Sequence, residues 1–127
     1  MENLHQLVDR IITSFLPVAV RNHNFFINEV PAEMPVEHNN EWVASIISGM
    51  IAIAANNTSN NCIRFSAKKH GFVFVLEMQE FNTISVNTDL RQIQRLAERM
   101  GGCLFFTPQT KEKSIMSFIF PNLPVVV

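Results

Sequence analysis

Apolar side chains at Leu4, Leu7, Val8, Ile11, Ile12 and Phe15 recur every three or four residues, the spacing of one helical face. They predict a helix over 4–16 that Pro17 brings to its end. The run Asn-Phe-Phe-Ile-Asn-Glu-Val over 24–30 reads as a strand, and a proline-bounded loop over 31–35 follows it. Asn39 or Asn40 can cap a second helix over 41–55. This helix is apolar nearly all round, so both of its faces must be covered. The asparagine-rich stretch 56–61 reads as a loop. Strands over 62–68 and 72–79 form a hairpin across Lys69, His70 and Gly71, and 80–88 lacks a period and reads as a loop. A third helix over 89–100 carries Leu90, Ile93, Leu96, Ala97 and Met100 on one face and stops at Gly101 and Gly102. Strands over 103–107 and 114–120 close the chain as a second hairpin. The order α-β-α-β-β-α-β-β predicts an α+β fold: a two-layer α/β sandwich, a mostly antiparallel sheet with about three helices on one face.

Composition keeps that picture and narrows the function classes. A chain of 127 residues supports one core without a metal or disulfide staple, so one domain is expected over 1–127, and no repeat is visible. Hydrophobic residues reach 47% and charged residues 17%, which excludes a disordered segment. A net charge of −1 gives no drive toward nucleic acid or an anionic membrane. No basic region leads into an apolar core at the start, and the longest apolar stretch, 42–55, is interrupted by Ser45 and Ser48. The expectation is a cytoplasmic protein whose two cysteines, Cys62 and Cys103, are buried reduced thiols. His5, His23, His38 and His70 have no metal-ligand spacing to the cysteines, and no Ser/His/Asp or Cys/His arrangement suggests a nucleophile. Arg91, Arg95 and Arg99 form a stripe at helical spacing, read as a solvated surface or a dock for an acidic partner. The apolar tail 122–127 is expected to be flexible, to fold back on the core or to lie in a partner.

Four segments in order resemble the histidine-kinase-type ATPase domain, also found in gyrase, Hsp90 and MutL. They are Phe-Ile-Asn-Glu-Val-Pro running on to Trp42, the helix and polar loop from Ile46 to Phe65, the Gly-Gly-terminated helix from Leu90 to Leu104, and the closing strand from Ser114 to Pro121. The resemblance covers nearly the whole chain. It implies an ATP site whose second helix presents a glutamate, two asparagines and a lysine to magnesium and phosphate. The matching positions at four-, four- and three-residue spacing are Ser45, Gly49, Ile53 and Asn56. Magnesium takes hard oxygen ligands, and Ile53 offers none. Loss of a base alone typically forfeits ~10²–10⁴-fold in rate.

The family's adenine-binding aspartate and its two glycines match Met78, Glu80 and Asn82, with Glu77 or Glu80 as candidate substitutes for the aspartate. The glycine-rich phosphate turn matches Asn87 and Asp89, where a carboxylate at a helix start repels phosphate. A last glycine pair matches Lys111, Glu112 and Lys113. His5 reads as an exposed helix residue, since the phosphoacceptor histidine of such kinases belongs to a separate two-helix module. The resemblance therefore implies a non-catalytic member without cofactor or metal. It would act as a protein-interaction module in bacterial signal transduction, docking a response regulator, a kinase or an anti-sigma-type factor, with a homodimer also open. The rival readings are a residual ATP- and magnesium-dependent kinase or ATPase, and a sensor of a small apolar ligand.

Overall fold

The computed structural model describes residues 2–36, 40–81, 88–108 and 113–122. The first helix, α1 (Leu4–Ser14), starts at Asn3, whose side chain accepts from the Gln6 amide at 2.8 Å while the Gln6 side chain accepts from the Asn3 amide at 3.0 Å. This reciprocal cap satisfies two donors that a helix start leaves open. Its apolar stripe Leu4, Leu7, Val8, Ile11 and Ile12 is buried, each side chain worth about 1.5–3 kcal/mol relative to exposure.

Helix formation resumes at once after Phe15 as α2 (Leu16–Arg21), with Pro17 in its first turn. The expected single helix over 4–16 is therefore two. Pro17 opens the second instead of closing the first, because a first-turn residue needs no N–H and its fixed φ suits the helix. Among the described residues there are four helices, one more than the sequence pattern suggested.

Five strands form one sheet in the order β1-β2-β3-β5-β4: β1 (Phe25–Asn28), β2 (Cys62–His70), β3 (Val73–Phe81), β4 (Cys103–Pro108) and β5 (Ser114–Pro121). β1 and β2 run parallel, joined by the crossover helix α3 (Asn40–Asn57), and the other pairs are antiparallel. The observed architecture is the predicted α+β class. Alternation sends Phe65, Leu76, Met78, Met116 and Phe118 into one core with α1, α3 and α4 (Thr88–Arg99). Phe118 and Phe120 stack with ring centroids 4.6 Å apart, and Phe74 meets Phe120 edge-on at 5.7 Å.

Some boundaries differ from the sequence reading. The first hairpin is longer: β2 reaches His70, and Gly71, at φ 62, turns with Phe72. β3 runs on through Glu80, which the pattern had assigned to a loop. Cys62 and Cys103 are free thiols, yet Cys62 is exposed and Cys103 half-buried, because both occupy positions facing away from the core. His5 is half-buried as well: its Nδ1 lies 2.6 Å from the Val30 carbonyl, which can only accept, so Nδ1–H donates and ties α1 to the end of β1. Asn28 strengthens this joint by donating to the His5 carbonyl and to Asp9 at 2.9 Å each. No helix among the described residues is long and apolar enough to cross a membrane. The tail 123–127, Asn39 and His38 lie outside the described residues.

Gly101 takes the left-handed φ of 88 that ends α4, and Gly102 then passes against β5. A Cβ at Gly102 would strike the Ile119 carbonyl oxygen and sit 3.2 Å from Phe120 Cα, both backbone. Gly102→Ala is expected to cost about 1–3 kcal/mol, read as a lower midpoint in urea unfolding. An unchanged midpoint would mean that the α4–β4 turn has slack.

Candidate functional site

α3 brings Ser45, Gly49, Ile53 and Asn56 onto the flank that meets α4, as their spacing required. Gly49, Ile53 and Asn56 line a groove of about 350 Å³ together with Ala52, Asn57 and, from α4, Asp89, Gln92 and Ile93. Ser45 lies along the same seam, in a shallower hollow of about 210 Å³ beside Glu41, Trp42 and Leu96. The structure thus unites Ser45, Gly49, Ile53, Asn56 and Asp89 along one interhelical seam.

The contacts within this seam define its chemistry. Ile53 is 4% exposed, so its hydrocarbon is part of the core. At Gly49 the helices come so close that an added Cβ would collide with Ile93 Cγ2 and lie 3.5 Å from Ile93 Cβ. α4 covers α3 at this point. Asn56 and Asn57 are the last turn of α3 instead of the start of a loop: each side-chain amide donates at 2.8 Å to the carbonyl four residues back, Ala52 and Ile53. Thr58 does the same to Ala54 at 2.6 Å, and Asn22 donates to the Ala55 carbonyl at 2.7 Å. Ala54 and Ala55, two of the last four carbonyls that a helix end leaves open, thereby gain side-chain partners.

Met78 does not reach the groove. It is fully buried between Phe65 and Met116 in the inner row of the sheet. Glu80 follows in the same strand, and Glu77, on the opposite side of the strand from Met78, pairs laterally with Ser66 and Ser117. Asn82, Asn87, Lys111 and Glu112 lie outside the described residues, and Lys113 immediately precedes β5. Among the described residues, no group of His, Cys, Asp and Glu side chains is placed to hold a metal ion. Sequence reasoning missed Gln92 as part of the groove, although it follows Asp89 by three residues and so shares its face. Arg91, Arg95 and Arg99 are exposed along the outer flank of α4.

The five-stranded sheet, its single parallel pair and the helices on one side match solved structures across almost the whole chain. The catalytic domain of histidine kinase ThkA superposes with a TM-score of 0.83 at 13% identity, covering 98% of this chain and 97% of that one. The fold is that of a histidine kinase catalytic domain. Acinetobacter baumannii histidine kinase AdeS matches with a TM-score of 0.82 at 12% identity over 94% of this chain, which spans 65% of that one. ThkA in complex with the response regulator protein TrrA matches at 0.79 and 13% identity, over 97% of this chain and 41% of that one. No family model and no curated protein matches the sequence. At this identity the kinase fold is what is shared, and the chain spans well under two thirds of the longer kinase.

The Gly49–Ile93 contact sets two opposed effects against each other. Alanine in place of a helical glycine gains about 1 kcal/mol of propensity, while overpacking a seam costs about 1–3 kcal/mol. The clash involves a stiff β-branched side chain, so Gly49→Ala is expected to destabilise by about 1 kcal/mol in chemical unfolding. In an Ile93→Ala background, which removes the colliding methyl, the same change should instead stabilise. A destabilisation unaffected by Ile93→Ala would place the strain elsewhere.

Proposed function

We propose that this chain is a non-catalytic domain of the histidine kinase type that works as a protein-interaction module in signal transduction. The observation that carries the reading is the α3–α4 seam. Where the resemblance calls for oxygen ligands and an open phosphate face, the seam has the buried hydrocarbon of Ile53 and a glycine pressed against Ile93. Magnesium needs hard oxygen donors and prefers octahedral geometry. Among the described residues, Asp89 supplies the one carboxylate on the groove, and its charge opposes a nucleotide phosphate. Asn56 and Asn57 each donate one amide hydrogen to a helix carbonyl, which leaves their Oδ1 atoms as the only neutral side-chain oxygens α3 offers to the groove. The described residues of the groove therefore fit a magnesium nucleotide poorly, and phosphoryl transfer rests on positioning and charge neutralisation that they do not supply.

With that chemistry absent, the remaining asset of such a domain is its surface. ThkA was solved with a response regulator, which supports a protein partner of the same kind for this fold: a response regulator, a kinase or an anti-sigma-type factor. One observation favours a second reading, a residual nucleotide binder. The groove is polar at one end, with Asn56, Asn57, Asp89 and Gln92, and its 350 Å³ reaches the lower limit of small-molecule pockets, about 300 Å³.

Isothermal titration with ATP and ADP, with and without magnesium, separates the two. The expected result is no saturable binding below millimolar nucleotide. Micromolar, magnesium-dependent binding would overturn the proposal.

A further inference from the structure

The groove between α3 and α4 fits a cation better than it fits a phosphate. Its polar end joins the last turn of α3 to the first turn of α4, with Asn56 and Asn57 on one side and Asp89 and Gln92 on the other. Both asparagines donate through Nδ2 to the carbonyl four residues back, at 2.8 Å each, so each amide is held and its Oδ1 is left to accept. Among the described residues, no hydrogen bond or ion pair engages the Asp89 carboxylate or the Gln92 amide. The end of α3 adds the negative pole of a helix dipole, where cations are favoured. No described lysine, arginine or histidine lines the groove. At about 100° per residue, Arg91 and Arg95 stand about 160° and about 120° round α4 from Asp89, on its outer flank. The sum is a surplus of acceptors with one negative charge, the complement of a positive group that carries several N–H donors. Beyond this end the groove is apolar, lined by Gly49, Ala52, Ile53 and Ile93. From Gly49 to Asn56 it follows α3 for about 10 Å.

We propose that this groove receives a lysine or arginine side chain of the protein partner. Its stem lies on Ala52, Ile53 and Ile93, and its cationic head meets Asp89 and the Oδ1 atoms of Asn56 and Asn57. Long cationic side chains are built for such a place, apolar along the stem and charged at the tip. The groove also suits a tethered group more than a free ligand. Pockets for free small molecules enclose about 70–90% of the ligand surface. Here Asn56, Asn57, Asp89 and Gln92 are all exposed, and the surface that carries the inserted side chain covers the open side. This inference rests on the reading of the chain as an interaction module and names the chemistry of its contact.

Nuclear magnetic resonance titration of the full chain tests it, with Nα-acetyl-lysine amide and Nα-acetyl-arginine amide as probes and the uncharged norleucine analogue as control. At least one cationic probe is expected to shift the side-chain amide signals of Asn56, Asn57 and Gln92 and the Gly49 backbone amide, saturating in the millimolar range. The norleucine analogue should bind about tenfold more weakly or worse, because hydrogen bonds to charged groups are the strong ones. Asp89→Asn keeps the shape of the side chain and removes its charge. It should weaken the cationic probe by about tenfold or more, leave the norleucine analogue unchanged and stay folded by circular dichroism. Absence of saturable shifts with both cationic probes would overturn the proposal, as would equal binding of the norleucine analogue or full affinity in Asp89→Asn. Micromolar ATP binding at the same signals would overturn the function proposed above and this inference with it. A groove that ignores ATP and both cationic probes would overturn this inference alone.

Discussion

The constraint on which the rest of this domain depends is that α3 must be covered over a broad arc of its surface. Of its 18 residues, Val43, Ile46, Ile47, Met50, Ile51, Ile53, Ala54 and Ala55 are buried along that arc, while Trp42, Ser45 and Asn56 on the remaining side are exposed. An ordinary amphipathic helix needs cover on one stripe; this one needs it from several neighbours. The sheet takes one side, α1 and α2 another, and α4 part of the remaining flank. Gly49 sets how closely α4 can approach, since the missing Cβ lets Ile93 rest directly on the backbone. The position of α4 in turn fixes the turn at Gly101 and Gly102 and the entry to β4. One apolar helix thus determines where the neighbouring elements lie, and the candidate site is the seam formed in doing so.

Much of this was legible because the strongest signals are periodic. The apolar spacing of α1 and α4 and the alternation of β3 and β5 each follow from which positions must face the core. The errors fall where a residue type has two uses. Pro17 breaks a helix interior but suits a first turn, and six residues are too few for a period to show which applies. Asn56 and Asn57 favour loops, yet here their amides bond to carbonyls one turn back and lengthen α3. Cysteine is commonly buried, but Cys62 and Cys103 stand at outward positions, which the alternation of Ile63 and Leu104 already implied.

The site was legible by half. The spacing of Ser45, Gly49, Ile53 and Asn56 predicts one shared flank, and Met78 belongs to the same inward row as Phe74 and Leu76. What lies opposite that flank depends on how two helices distant in sequence pair, which no local period encodes. Ile93 is visible in the sequence as one apolar residue among four on α4. Only packing identifies it as the residue that closes over Gly49.

Burial along that flank has an energetic side. A helix that keeps one polar face open beside its own core does so at a cost in burial. Burying Ile53 and resting Ile93 on Gly49 returns apolar area to the interior at about 25 cal/mol per Å². The same domain leaves Val73, Val75, Ile119 and Phe105 facing outward on the opposite side of the sheet, where burial requires another molecule. Large apolar side chains thus stay exposed on both layers, Leu16, Val20 and Trp42 on the helices and Val73 and Phe105 on the strands, while the seam between α3 and α4 keeps Ile53 inside.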